Sequence, residues 1–215
     1  MNNSPLKLLI YQLVILLPAF YFAWYATGPY TATALAEILG ILFRFFLVDK
    51  VYAIHTSGTD IVIYMQNLPR VTIGESTAAF SFADKGIVVN PFTYSYGVPL
   101  FLALAIASPA TLRQYVFRVG SGLTILYAGI CFSIISSIIF IMHENPDIQW
   151  PNFSADADLN DALVDYIHFV GFLLIPRILP LVIWGILYRE SIREIIHSLR
   201  SSHASKGASG TPPSP

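Results

Sequence analysis

The chain has 215 residues, of which 55% are hydrophobic and only 12% charged, against about a quarter charged in ordinary soluble domains. That composition excludes an ordinary soluble enzyme; the net charge of −1 says nothing about nucleic acid, but no basic patch interleaved with aromatics appears for it. The single cysteine, Cys131, excludes a disulfide framework and a thiolate metal cluster. The class expected is an α-helical integral membrane protein with about four transmembrane helices, a small β-rich extracytoplasmic insertion and an amphipathic or re-entrant helix.

The first apolar run, Leu6 to about Ala26, passes the spanning length of roughly 18 residues. Lys7 precedes it as in a signal peptide, but its aromatic end, Phe20 to Tyr25, offers no small-x-small cleavage site. Residues 1–29 therefore read as an uncleaved anchor closing on an interfacial aromatic belt. Tyr30 to Val48 predicts a further helix. Glu37 and Arg44 are seven apart and share one face, and a crossing here would force Lys7 outside. A helix along the outer membrane boundary, or re-entrant against the bundle, is expected over 30–48, with a five-span topology as the alternative.

Over 49–93 the period changes to that of strands. Tyr52–Thr56 and Ile61–Met65 flank Ser57-Gly58-Thr59-Asp60, a hairpin turn, and Arg70–Ile73 follows. Ala79–Phe82 and Gly86–Val89 flank a second turn at Ala83-Asp84-Lys85-Gly86. So few short strands bury little alone, so this β-rich unit should lean on the bundle. Residues 94–190 supply three more spans, Tyr94 to Leu112, Val119 to Met142 and Tyr166 to Tyr188, with an acidic outer loop over 143–165. Residues 191–215 are rich in Ser, Gly, Ala and Pro and read as a disordered cytoplasmic tail. Lys7, Arg113, Arg118, Arg189, Arg193, Arg200 and Lys206 gather on one side of this arrangement, which predicts both termini cytoplasmic.

Arg177 is the strongest functional pointer. It stands about twelve residues from either charged end of the last span, and an isolated cation at mid-bilayer costs from about 3 to over 10 kcal/mol. Pro176 and Pro180 flank it and leave the carbonyls of Phe172 and Pro176 without helical donors. A guanidinium in that kink can grip a carboxylate or carbonyls, Glu37 being the intramembrane candidate if its helix is re-entrant. The bland alternative is a structural cation satisfied by neighbouring helices. Tyr94 and Tyr96, in the Asn90–Leu100 elbow with Pro91, Gly97 and Pro99, are expected at the headgroup level and complete a candidate partner-binding set with Arg177 and Glu37.

Asp161, Asp165 and His168 fall at i, i+4 and i+7, on one helix face, where with His143 and Glu144 they could hold a divalent metal or relay protons. Acidic residues favoured at a helix start explain the aspartates equally. Cys131 lies mid-span with no base nearby in sequence, so catalysis is not expected from it. Gly129, Ser133, Ser136 and Ser137 point to close helix packing there instead.

Three pieces together resemble the exosortase H-associated membrane proteins: the strand-rich segment after a short amphipathic helix, the stretch Asn90 to Leu104, and Pro176 to Trp184 followed by Arg189. The similarity extends over about residues 5 to 195. It implies an accessory of the bacterial exosortase protein-sorting systems in the inner membrane, partnered by a small exosortase or by an exported protein's anchoring segment. Exosortases use a membrane-embedded Cys with Arg and Arg or His partners, and the surroundings of Cys131 do not match, so the resemblance implies a non-enzymatic subunit without cofactor. An intramembrane metal-dependent enzyme, a small transporter and a type IV pilin accessory chaperone are the alternatives.

Overall fold

The computed structural model describes residues 5–46, 51–65, 80–83, 86–144, 161–190, 192, 193 and 196. The strand expected at Arg70–Ile73, the centre of the second turn, most of the acidic loop and the tail over 201–215 lie outside these.

Helix α1, Pro5–Ala26, is apolar on all sides, and none of its most hydrophobic window is buried inside the protein. Among the described residues its main partner is α4, with Trp24 and Tyr25 against the Phe92 ring at its end, so most of its surface is suited to lipid. Thr27 separates it from α2, Gly28–Phe46, where a Cβ on Gly28 would overlap the Phe92 ring. Helix α2 buries Ala32, Leu35, Ala36, Leu39 and Phe43, a stripe at helical spacing, and keeps Glu37 and Arg44 exposed. It is the amphipathic helix expected and is not among the helices long and apolar enough to cross a membrane.

Strands β1 (Val51–Ser57), β2 (Asp60–Met65), β3 (Phe80–Ala83) and β4 (Gly86–Val89) form an antiparallel sheet in the order β1-β2-β4-β3. Ser57 pairs with Asp60 around the turn, and Gly58 takes φ 63° there, a conformation glycine adopts without a Cβ penalty. Ile61 faces Val89 and Ile63 faces Ile87 across the β2–β4 ladder, and all four are 0% exposed. They share a core with α2 and the bundle, which is how so small a sheet is held.

Asn90 accepts the Phe92 N–H on its side chain at 3.0 Å, turning the chain into α3 (Phe92–Ser95) and α4 (Gly97–Ala107). The bounds of the expected second span, Tyr94 to Leu112, are corrected here. Ser108 is extended at φ −92° and ψ 130° because Pro109 follows, and Leu112 belongs to the next helix. Phe92–Ala107 is therefore a shorter apolar unit, about 24 Å long against about 30 Å of hydrocarbon. Helix α5, Leu112–Glu144, starts seven residues earlier than expected. The last span begins at Asp161 as α6 (Asp161–Phe169), passes through a π-helical segment (Val170–Leu174) and continues as α7 (Ile175–Leu187). Three helices among the described residues are long and apolar enough to cross a membrane: Leu6–Ala26, Leu112–Ile141 and Asp161–Leu187.

Small residues on α5 set the bundle spacing. A Cβ on Gly122 would overlap Phe101, one on Gly129 would stand 3.0 Å from Ile175, and one on Gly171 would overlap Ser136. Ser133, Ser136 and Ser137 are all at most 2% exposed, with the Ser133 hydroxyl returning to the Gly129 carbonyl at 2.9 Å. Close backbone approach therefore replaces large side chains at this interface.

Candidate functional site

Two prolines and a slipped register shape the last span around Arg177. Pro176 has no N–H for the Phe172 carbonyl, and immediately before it the Ile175 N–H reaches the Val170 carbonyl, five residues back. Pro180 in turn leaves the Pro176 carbonyl without its helical donor. Gly97 occupies that place: a Cβ on it would overlap the Pro180 ring and stand 2.7 Å from the Pro176 oxygen. Only a residue without a side chain lets the start of α4 seat against α7 so closely.

Pro176 and Pro180 are buried, and Arg177 between them is exposed. Its Nε donates to the Tyr96 hydroxyl at 3.3 Å, while the Tyr21 hydroxyl of α1 donates to the Tyr96 carbonyl at 2.9 Å. Tyr96 thus ties together α1, α4 and α7. Around Arg177 the outward face of the last span carries exposed Leu174, Ile178, Leu181, Val182 and Ile186. Among the described residues no carboxylate pairs with Arg177, the ion pairs being Arg118–Glu190 at 3.5 Å and His143–Asp161 at 3.0 Å. Glu37 stays on the exposed face of α2 and is not brought to it.

Tyr94 is placed differently from the expectation at the headgroup level. It is 1% exposed and meets Phe172 edge-on at 5.9 Å. Alternation along the one-turn α3 sends Tyr94 inward and leaves Tyr96 half-buried at the face.

The Asp161, Asp165 and His168 set does not converge. Asp161 takes the Nε2 of His143, Asp165 is exposed, and the His168 ring stacks on Phe140 at 4.1 Å and on Phe172 at 5.4 Å. Among the described residues no group of three or more His, Cys, Asp or Glu is placed to hold a metal. His168 packs as a flat ring between aromatics. Cys131 is 3% exposed in the interior of α5.

At the opposite end, the Trp184 Nε1 donates to the Ser108 hydroxyl at 2.9 Å, and the Arg118 guanidinium lies 5.0 Å from the centre of the Tyr188 ring. These contacts put the end of α4, the start of α5 and the end of α7 on one side of the bundle, with the sheet and the His143–Asp161 pair on the other. Tyr21 as a hydrogen-bond donor and the Trp184–Ser108 pair escaped the sequence reading, and Gly97 entered it only as part of the elbow. Tyr21 lies inside an aromatic run that reads as a lipid belt, and Gly97 gains its meaning only from Pro176 and Pro180, some eighty residues away.

The family model described as exosortase H-associated membrane protein matches residues 3–191 of the chain. No curated protein and no solved structure shows significant similarity to it.

Proposed function

The chain belongs to the exosortase H-associated membrane proteins, and from that premise we propose that it is a non-enzymatic accessory subunit that docks a membrane partner on its α1–α4–α7 face. The partner is an exosortase, or the anchoring segment of a protein that the exosortase system handles. Arg177 carries this reading. A guanidinium has five N–H donors; among the described residues one is used, on Tyr96, and the rest open onto an apolar surface. Hydrocarbon is a costly surrounding for such a group, whereas a polar group on a partner helix would satisfy it. Tyr96 and Tyr21 hold the arginine in place.

Burial of Cys131 at 3% exposure keeps the lone thiol from acting as a nucleophile on a docked chain, in line with an accessory role. The setting proposed is the bacterial inner membrane with both termini cytoplasmic, a reading supported by the distribution of Lys and Arg, and it requires the shorter Phe92–Ala107 unit to cross as the second of four spans, the bilayer thinning around it. In that orientation the sheet and the exposed Glu37 lie outside, where they would meet the extracytoplasmic part of the partner.

Co-purification with an exosortase from native membranes in mild detergent tests the proposal. Arg177→Leu should lower recovery of the complex by about tenfold or more, the effect of losing one or more charge-assisted hydrogen bonds, with membrane insertion unchanged. Arg177→Lys should retain part of the complex, because it keeps the charge but loses the planar fork. Full recovery with Arg177→Leu would overturn the proposal.

A further inference from the structure

The free edge of the Arg177 guanidinium restricts what the partner can present. Its Nε edge faces the Tyr96 hydroxyl, which leaves the end carrying the two Nη groups for a second planar acceptor. A carboxylate fits that end with two parallel hydrogen bonds and cancels the charge as well. Backbone carbonyls of a partner helix are already committed to their own N–H groups, and a neutral amide would leave the charge uncompensated.

Depth separates the remaining anionic sources. Arg177 lies ten residues before Leu187 and sixteen after Asp161, about 15 and 24 Å along the helix axis. Exposed Ile186 with Leu187 keeps the first of these ends in hydrocarbon, and Asp161 and Asp165 mark the other end as polar. In about 30 Å of hydrocarbon, Arg177 then sits about 15 Å from both boundaries, beyond the headgroup phosphates for a side chain some 6–7 Å long.

We infer that the α1–α4–α7 face receives a transmembrane helix of another protein that carries an Asp or Glu near mid-bilayer, its carboxylate bound end-on by the two Nη groups of Arg177. This rests on the docking reading above and adds the chemistry of the docked group. The acid would stand about ten residues from the end of its helix that lies level with Leu187. The apolar residues around Arg177, Ile178 and Leu181 among them, would pack along the same helix, and Tyr96 would set the angle of the fork.

The test uses the full-length protein in phosphatidylcholine vesicles with a fluorescent 24-residue Leu/Ala helix carrying one central Glu. Energy transfer from a donor on the protein reports association. The Glu helix should associate about tenfold more tightly than the same helix with Gln. Moving the Glu to within one turn of either end should abolish the advantage, and Arg177→Leu should equalise the Glu and Gln helices. Equal binding of the Glu and Gln helices to the wild-type protein would overturn the inference. So would an advantage unaffected by Arg177→Leu. If exosortase recovery depends on Arg177 while the Glu helix shows no preference, docking stands and the carboxylate falls. If recovery does not depend on Arg177, the docking reading falls too.

Discussion

Gly97→Ala tests the seat that positions the arginine. The new methyl would overlap the Pro180 ring and lie 2.7 Å from the Pro176 oxygen, where ordinary contact begins at 3.4 Å. Neither neighbour is the tip of a flexible side chain, so α4 and α7 must part by about 0.7 Å or more at this point. Overpacking of this kind typically costs about 1–3 kcal/mol. Separation would also stretch the Arg177–Tyr96 hydrogen bond, already 3.3 Å long, beyond useful geometry. The assay is reversible unfolding of the detergent-solubilised protein in increasing SDS, followed by tryptophan fluorescence because Trp184 reports on the same helix pair through Ser108. Gly185→Ala, where an added Cβ meets nothing within 4 Å, is the control and should leave the midpoint unchanged. If Gly97→Ala unfolds at the wild-type midpoint, the close approach of α4 to the proline pair is not what holds this face together.

Two further outcomes follow from the packing. Gly171→Ala should destabilise the protein by about 1–3 kcal/mol through overlap with Ser136, and Ser136→Gly in the same chain should recover part of that loss in SDS unfolding, because the colliding hydroxymethyl is gone. Trp184→Phe and Ser108→Ala, each removing one side of the 2.9 Å hydrogen bond, should cost about 0.5–1.5 kcal/mol singly. A double-mutant cycle on unfolding midpoints should show the pair to be non-additive.

Arg177 was legible as a costly charge because its cost follows from hydropathy and depth alone. Its relation to Glu37 was not, since sharing a face along α2 says nothing about which way that face turns. In the structure the apolar stripe of α2 takes the sheet and α5, which leaves Glu37 on the opposite side. The Asp161, Asp165 and His168 spacing was equally plain in the chain. Phe140 of α5 and Phe172 within the π segment then claim the imidazole by stacking, an outcome that local spacing could not anticipate. Tyr94 and Tyr96 differ by two positions and part company because a helical turn sends them to different sides.

Length and hydropathy by themselves determined the membrane class, three of the four spans expected and the amphipathic character of α2. Alternation and turn chemistry determined the first hairpin, with its glycine at positive φ. These are local quantities: transfer of side chains from water and the dihedral limits of single residues. The break at Ser108 and Pro109 is equally local, although the hydropathy of the run masks it. Tertiary structure alone decided that β4 lies between β2 and β3, and that Tyr96 joins Arg177 to α1 through Tyr21. Such matters depend on which backbones can approach, and that is set by pairs such as Gly97 with Pro180 and Gly171 with Ser136, whose partners are far apart in the chain.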